Sequence, residues 1–165
     1  MPKPAQYLYC LAALLGGAAC AKSPPAAGQV PATWSIAPVT SPIGTAPATI
    51  TVRGRLQPGW HIYSVTHVAG GPTATRVTLP AGQPFEQAGE ITVTPQPHVA
   101  FDEAFRMKVE LHEKSVDIMV PVRATQPLRN GDSLRMNVRY QVCNASLCYP
   151  PKTEKLVAAV PATGK

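Results

Sequence analysis

Charge is scarce in this chain. Asp, Glu, Lys and Arg make up 15% of its 165 residues, against about 25% in an ordinary soluble domain. The net charge is +6, one unit of it from Lys3, and the basic residues are interleaved with acids instead of forming a run. That spacing describes a solvated surface and argues against a nucleic-acid or anionic-membrane partner. Aromatic residues are also few, at 6%. No segment carries convincing amphipathic-helix spacing, which excludes a helical bundle. No internal repeat is present, and beyond residue 21 no apolar run is long enough to cross a bilayer. Cysteine is limited to Cys10, Cys20, Cys143 and Cys148.

What the chain does hold is proline (19) and glycine (12), with short Val, Thr and Ile runs between them. That mixture favours a loop-rich all-β domain. Strands are expected at 33–38, 47–56, 60–66, 73–79, 89–94, 105–112, 115–122, 132–142 and 153–160. Within 115–122, Val116, Ile118, Val120 and Val122 alternate with Ser115, Asp117, Met119 and Pro121. Within 105–112, Phe105, Met107, Val109 and Leu111 alternate with Arg106, Lys108, Glu110 and His112. Glu113-Lys114 is expected to join these two strands as a hairpin, and Asn130-Gly131 is a second turn signal. Short strands at this spacing predict one immunoglobulin-like β-sandwich, with Trp34 and Trp60 as packing residues.

The first 21 residues read as a secretory leader, with Lys3 ahead of an apolar stretch from Tyr7 to Ala19. Ala19-Cys20-Ala21 fits a small-x-small cleavage site. Gly17-Ala18-Ala19-Cys20 also resembles a lipobox, with Gly17 where a branched aliphatic is usual, and that exit would make Cys20 a lipidated anchor. Either exit sends the domain to an exported, periplasmic compartment where disulfides persist. Residues 22–32 have linker composition, leaving 33–161 as the domain.

Cys143 and Cys148 therefore remain to pair with each other. Along the approach strand, period 2 puts Leu134, Met136, Val138, Tyr140 and Val142 on one face. Arg135, Asn137, Arg139, Gln141 and Cys143 fall on the other, so Cys143 is expected to face solvent. As a staple the pair is weak. Closing a loop of about six residues removes only about 2 kcal/mol of unfolded-state entropy, against about 4 to 5 for a long loop. Redox chemistry, a local structural bridge and metal binding all stay open at this level. His61, His67, His98, His112 and Met107 are metal ligands by type, but none has ligand spacing with the cysteines.

The run Tyr140-Gln141-Val142-Cys143, then Cys148-Tyr149-Pro150-Pro151 and Lys152-Thr153-Glu154, resembles the N-terminal periplasmic domain of the DsbD thiol:disulfide interchange family. Gly59-Trp60-His61-Ile62-Tyr63, Val77-Thr78-Leu79-Pro80 and Asp102-Glu103 before Phe105 fall in the family's order, so the resemblance covers about residues 45–160. It implies an immunoglobulin-like domain that needs no cofactor and carries electrons through a reversible Cys143–Cys148 disulfide. It implies Cys148 as the attacking thiol and Cys143 as the resolving one. A cap of Asp102, Glu103 and Phe105 would shield the pair, with Tyr63 and His61 lining the site. The cap carboxylates would disfavour a stray thiolate by like-charge repulsion. His61 is either a surface histidine on a strand or a proton acceptor or donor near the site.

The implied activity is thiol:disulfide interchange of the protein-disulfide reductase type, dependent on a partner. A thioredoxin-like or membrane-embedded donor and periplasmic thiol or disulfide clients would be separate proteins. Two differences from the family pattern stand out. Four residues separate the cysteines instead of five, and Ala104 intervenes between Glu103 and Phe105. Two other readings remain: a non-catalytic immunoglobulin-like binding module with a structural disulfide, and a periplasmic copper-binding protein. Asn144-Ala145-Ser146 matches a glycosylation sequon by accident, since a glycan there would bury the thiols.

Overall fold

The computed structural model describes residues 30–129 and 131–161. The leader expected over 1–21, with Cys10 and Cys20, lies outside the described residues, as do Asn130 and most of the linker expected over 22–32. The first six strands are β1 (Ala32–Ile36), β2 (Ala48–Leu56), β3 (His61–Tyr63), β4 (Arg76–Thr78), β5 (Phe85–Gln87) and β6 (Thr92–Thr94). The remaining six are β7 (His98–Asp102), β8 (Met107–Glu113), β9 (Ser115–Ala124), β10 (Ser133–Tyr140), β11 (Val142–Cys143) and β12 (Lys152–Ala159). No helix occurs among the described residues.

All pairings are antiparallel. One sheet runs β1-β2-β9-β5, with β6 also on β9, a second runs β12-β10-β4, and a third runs β11-β3-β8-β7. The alternation in β9 comes out as expected: Val116, Ile118, Val120 and Val122 are buried. They share one apolar cluster with Ile50 and Val52 of β2 and with Leu134, Met136, Val138 and Tyr140 of β10. Each such aliphatic side chain contributes about 1.5–3 kcal/mol when withdrawn from water. The cluster reaches into the third sheet through Ile62 and Val142. The result is an immunoglobulin-like β-sandwich. Trp34 tilts against Tyr140 with ring centroids 5.2 Å apart, and Trp60 against Tyr149 at 5.4 Å, as packing residues do.

The expected β8–β9 hairpin does not form. Lys114 takes a left-handed φ of 61° and turns the chain out of one sheet and into another. β8 then pairs with β3 and β7, while β9 pairs with β2, β5 and β6. Sequence alternation identifies strands but not partners. β5 and β7 were also unforeseen, because β5 is three residues long and β7 exposes its apolar Val99 and Phe101.

His112, which alternates with Val109 and Leu111 along β8, is only 3% exposed. Its cross-strand partner is Ile62, and register partners share a sheet face. Since Ile62 belongs to the main core, His112 faces the sandwich interior. Neither of its ring nitrogens has a hydrogen-bond partner. Burial, with some help from His98, holds its pKa below the ordinary 6.5 against the pull of Glu110. The unfolded chain therefore takes up a proton first as pH falls. Stability is fully present above the unfolded pKa near 6.5 and declines as the pH drops from there towards the lowered folded value. Replacing His112→Leu should flatten the acid side of the melting-temperature profile below about pH 6.5. At pH 7.5 it should change stability by no more than about 1 kcal/mol. Thermal melts across pH check both outcomes.

Candidate functional site

Register places the site before any side chain is considered. Cys143 pairs with His61, His61 with Glu113, and Tyr63 with Leu111, which pairs with His98. All these side chains share the outer face of the β11-β3-β8-β7 sheet, opposite Val142, Ile62 and His112. The parity expected for Cys143 is correct, yet Cys143 is 1% exposed rather than solvent-facing. Two features roof the outer face. One is a small cluster in which Cys143 packs with Tyr63, Val109 and Leu111, flanked by Phe105, Met107 and Ala100. The other is the loop carrying Cys148.

That loop closes on itself. Asn144 N–H donates to the Leu147 carbonyl at 2.8 Å, and Tyr149 N–H to the Val142 carbonyl at 3.0 Å. The Asn144 side-chain oxygen accepts from Ser146 N–H at 2.9 Å and from Leu147 N–H at 2.8 Å. Asn is favoured at such a turn because its short amide reaches its own backbone two and three residues on. Cys143 and Cys148 face each other as an antiparallel bridge with Cα atoms 4.1 Å apart, and their sulfurs are bonded. Cys148 is half-buried where Cys143 is fully buried. The two sulfurs are not equivalent.

The cap expected from Asp102, Glu103 and Phe105 is the turn between β7 and β8. Asp102 Oδ1 accepts from Ala104 N–H at 2.9 Å and from Phe105 N–H at 3.2 Å, folding the turn over the site. Arg106 adopts a left-handed φ of 54° to bring the chain back into β8. Asp102 Oδ2 accepts the Tyr63 hydroxyl at 2.8 Å, and the same hydroxyl lies 3.4 Å from Cys143 Sγ. Burial, and then the Asp102 hydrogen bond and charge, raise the Tyr63 pKa well above its ordinary 10. Tyr63 is thus a hydrogen-bond donor throughout the working range. Phe105 meets the Tyr63 ring edge-on with centroids 6.0 Å apart, so its displacement by Ala104 does not remove it from the site.

A cavity of about 270 Å³ opens beside the bond, lined by His61, Tyr63, Phe101, Asp102, Glu103 and both cysteines among others. Six of the seven residues singled out in the sequence line this cavity, and the seventh, Phe105, packs against the cluster of Tyr63 and Cys143 beside it. Phe101, 56% exposed, was missed. Its one signal in the sequence is its position directly before the acidic pair Asp102-Glu103. Of the other histidines, His67 and His98 are exposed and His112 lies on the opposite face. Among the described residues no group of three or more His, Cys, Asp and Glu could hold a metal ion.

A family model described as "Thiol:disulfide interchange protein DsbD, N-terminal" matches residues 28–159. The reduced form of the DsbD N-terminal domain from Neisseria meningitidis has a similar structure. It aligns over 72% of this chain and 83% of that one at 16% identity, with a TM-score of 0.50. The N-terminal periplasmic domain of ScsB from Proteus mirabilis aligns over 77% and 44% at 17% identity, with a TM-score of 0.48. No curated protein matches the chain.

Removing the carboxylate should open the roof. Each of the hydrogen bonds that Asp102 accepts is worth about 1 kcal/mol, and about 1.4 kcal/mol corresponds to a factor of ten. Asp102→Ala, which loses three such bonds, should therefore speed reduction of the disulfide by dithiothreitol by up to about a hundredfold, read by alkylation and intact mass. Asp102→Asn, which keeps an acceptor for the turn, should have the smaller effect.

Proposed function

The chain belongs to the family of N-terminal domains of the thiol:disulfide interchange protein DsbD, and from that membership we propose how its own cysteines work. It is a thiol:disulfide interchange domain, of a family whose members are periplasmic and meet thioredoxin-like partners. In our reading Cys148 forms the mixed disulfide with the partner and Cys143 resolves it. The observation that carries this assignment is the unequal burial of the two sulfurs: Cys148 borders the cavity half-exposed, while Cys143 is sealed beneath Tyr63.

In-line displacement supports the same order. A partner thiolate reaches the exposed sulfur, the S–S bond breaks, and the electron pair leaves on the buried one. Tyr63 O–H, 3.4 Å from that sulfur, is already placed to donate to the charge that develops there. In the opposite direction the reduced pair passes two electrons to a partner disulfide. The turn of Asp102, Glu103 and Phe105 acts as the cap that a docking partner displaces. The donor is a thioredoxin-like or membrane-embedded protein, and the clients are periplasmic thiol or disulfide proteins. The leader over residues 1–21 delivers the domain, through either cleavage or lipidation at Cys20, and the linker over 22–32 tethers the domain over 33–161.

Two measurements test the assignment. Cys143→Ser should accumulate a covalent complex with a thioredoxin-like partner, while Cys148→Ser should trap none; the reverse pattern would exchange the roles. The reduction potential should lie above about −300 mV, the region below which structural bridges resist the glutathione pool. A value well below it would favour a binding module with a permanent bridge.

A further inference from the structure

One side chain in the cavity has a free functional group that neither the cap nor the hydrogen-bond network uses. His61 lies directly across from Cys143 in the β3–β11 register, where side chains on one face have Cβ atoms about 4.5–5.5 Å apart. It borders the same cavity as both cysteines and meets the Tyr63 ring edge-on with centroids 5.5 Å apart. Its Nε2 atom is buried and has no hydrogen-bond partner.

The other candidates for proton transfer at Cys143 are already engaged. Asp102 uses Oδ2 on Tyr63 and Oδ1 on two backbone N–H groups. Tyr63 holds its own proton too firmly to act as a base. Glu103 and Glu113 are exposed, and water disperses their charge.

We propose that His61 Nε2 accepts the proton of the Cys143 thiol when Cys143 resolves the mixed disulfide on Cys148. The inference rests on the preceding assignment of the two cysteines. Cys143 S–H passes its proton to Nε2 and becomes a thiolate. That thiolate attacks Cys148 Sγ, the Cys143–Cys148 bond forms as the Cys148–partner bond breaks, and the electron pair leaves on the partner sulfur. The imidazolium then gives its proton to that leaving thiolate or to water. Over the whole cycle the dithiol is oxidised by two electrons and the partner disulfide is reduced by two. In the reverse direction the imidazolium protonates Cys143 as it leaves.

The surroundings suit the role. From β8, Glu113 faces the imidazole; from β7, His98 and Asp102; from β11 and its loop, Cys143 and Cys148; from β3 itself, Tyr63. Burial lowers the His61 pKa and outweighs the opposing pull of Asp102 and Glu113, while His98 lowers it further. The ring is therefore neutral and able to accept a proton at the near-neutral pH where exchange takes place.

The test uses the reduced full chain and a symmetric aryl disulfide whose thiolate is coloured, followed by stopped-flow absorbance. Attack by Cys148 releases the first aryl thiolate, and resolution by Cys143 releases the second. In the unsubstituted protein the second phase should rise with pH through one bend on the acid side of the ordinary histidine value. His61→Gln should keep the first-phase amplitude, slow the second phase about 100-fold at neutral pH, the lower end of a general-base contribution, and lose the bend. His61→Phe keeps an aromatic body against Tyr63 and should behave as His61→Gln does. A second phase at the unsubstituted rate in either variant overturns the proposal, and so does a slowed phase that retains the bend. If the unsubstituted protein gives no second phase, the exchange assignment falls together with this one. If Cys143→Ser stops after the first phase while the His61 variants proceed normally, the exchange assignment stands and only the role of His61 falls.

Discussion

One carboxylate holds the roof over the disulfide. Asp102 closes β7 and, through Oδ1, caps the four-residue turn that follows it. Its Oδ2 fixes the Tyr63 hydroxyl above Cys143. The Tyr63 hydroxyl has one hydrogen and two acceptors within reach. At 2.8 Å the carboxylate takes it, and the disulfide sulfur at 3.4 Å is left as the weaker contact. A bonded sulfur is a poor acceptor and loses little by this. Local turn, ring orientation and sulfur environment thus depend on one side chain, and they respond together when it moves.

Fold and site were legible in the sequence to different depths, for a physical reason. Period-2 alternation reports which way a side chain points, and it placed β9, β10 and the main core correctly. It says nothing about what lies on the far side. Cys143 points away from the main core as the pattern required, but the β7–β8 turn and the cysteine loop cover that face. β8 shows the same gap: Val109 and Leu111 alternate with Glu110 and His112, yet both faces of the strand are covered there. Strand pairing is a non-local property, so Glu113-Lys114 looked like a hairpin when Lys114 in fact carries the chain across to the other sheet. The chemistry was clearer only through resemblance: spacing left the role of Cys143 and Cys148 open, and Asp102 and Tyr63 entered because the cysteine run is similar to that of a known family. Phe101 is exposed on an edge strand, so alternation gives it no marker, and only its place directly before Asp102-Glu103 distinguishes it.

Burial and exchange make opposite demands on a thiol. A buried sulfur is protected from stray oxidants, but its thiolate is costly to form without a compensating donor. An exposed sulfur reacts freely and indiscriminately. Here the demands fall on different atoms, with Cys148 half-exposed at the cavity and Cys143 fully buried beside the Tyr63 hydroxyl.

The loop between the two cysteines makes this division sustainable. Its backbone bonds and the Asn144 side chain close the turn independently of the sulfurs, and the bridge over so short a loop adds only about 2 kcal/mol. Two-sided burial of Val142 and Cys143 on β11 further anchors the loop's base to the sheet. Breaking the S–S bond therefore releases two thiols into a site that its own hydrogen bonds still hold in shape. A bridge with stability as its purpose would need the reverse arrangement, in which the fold around it fails when it opens.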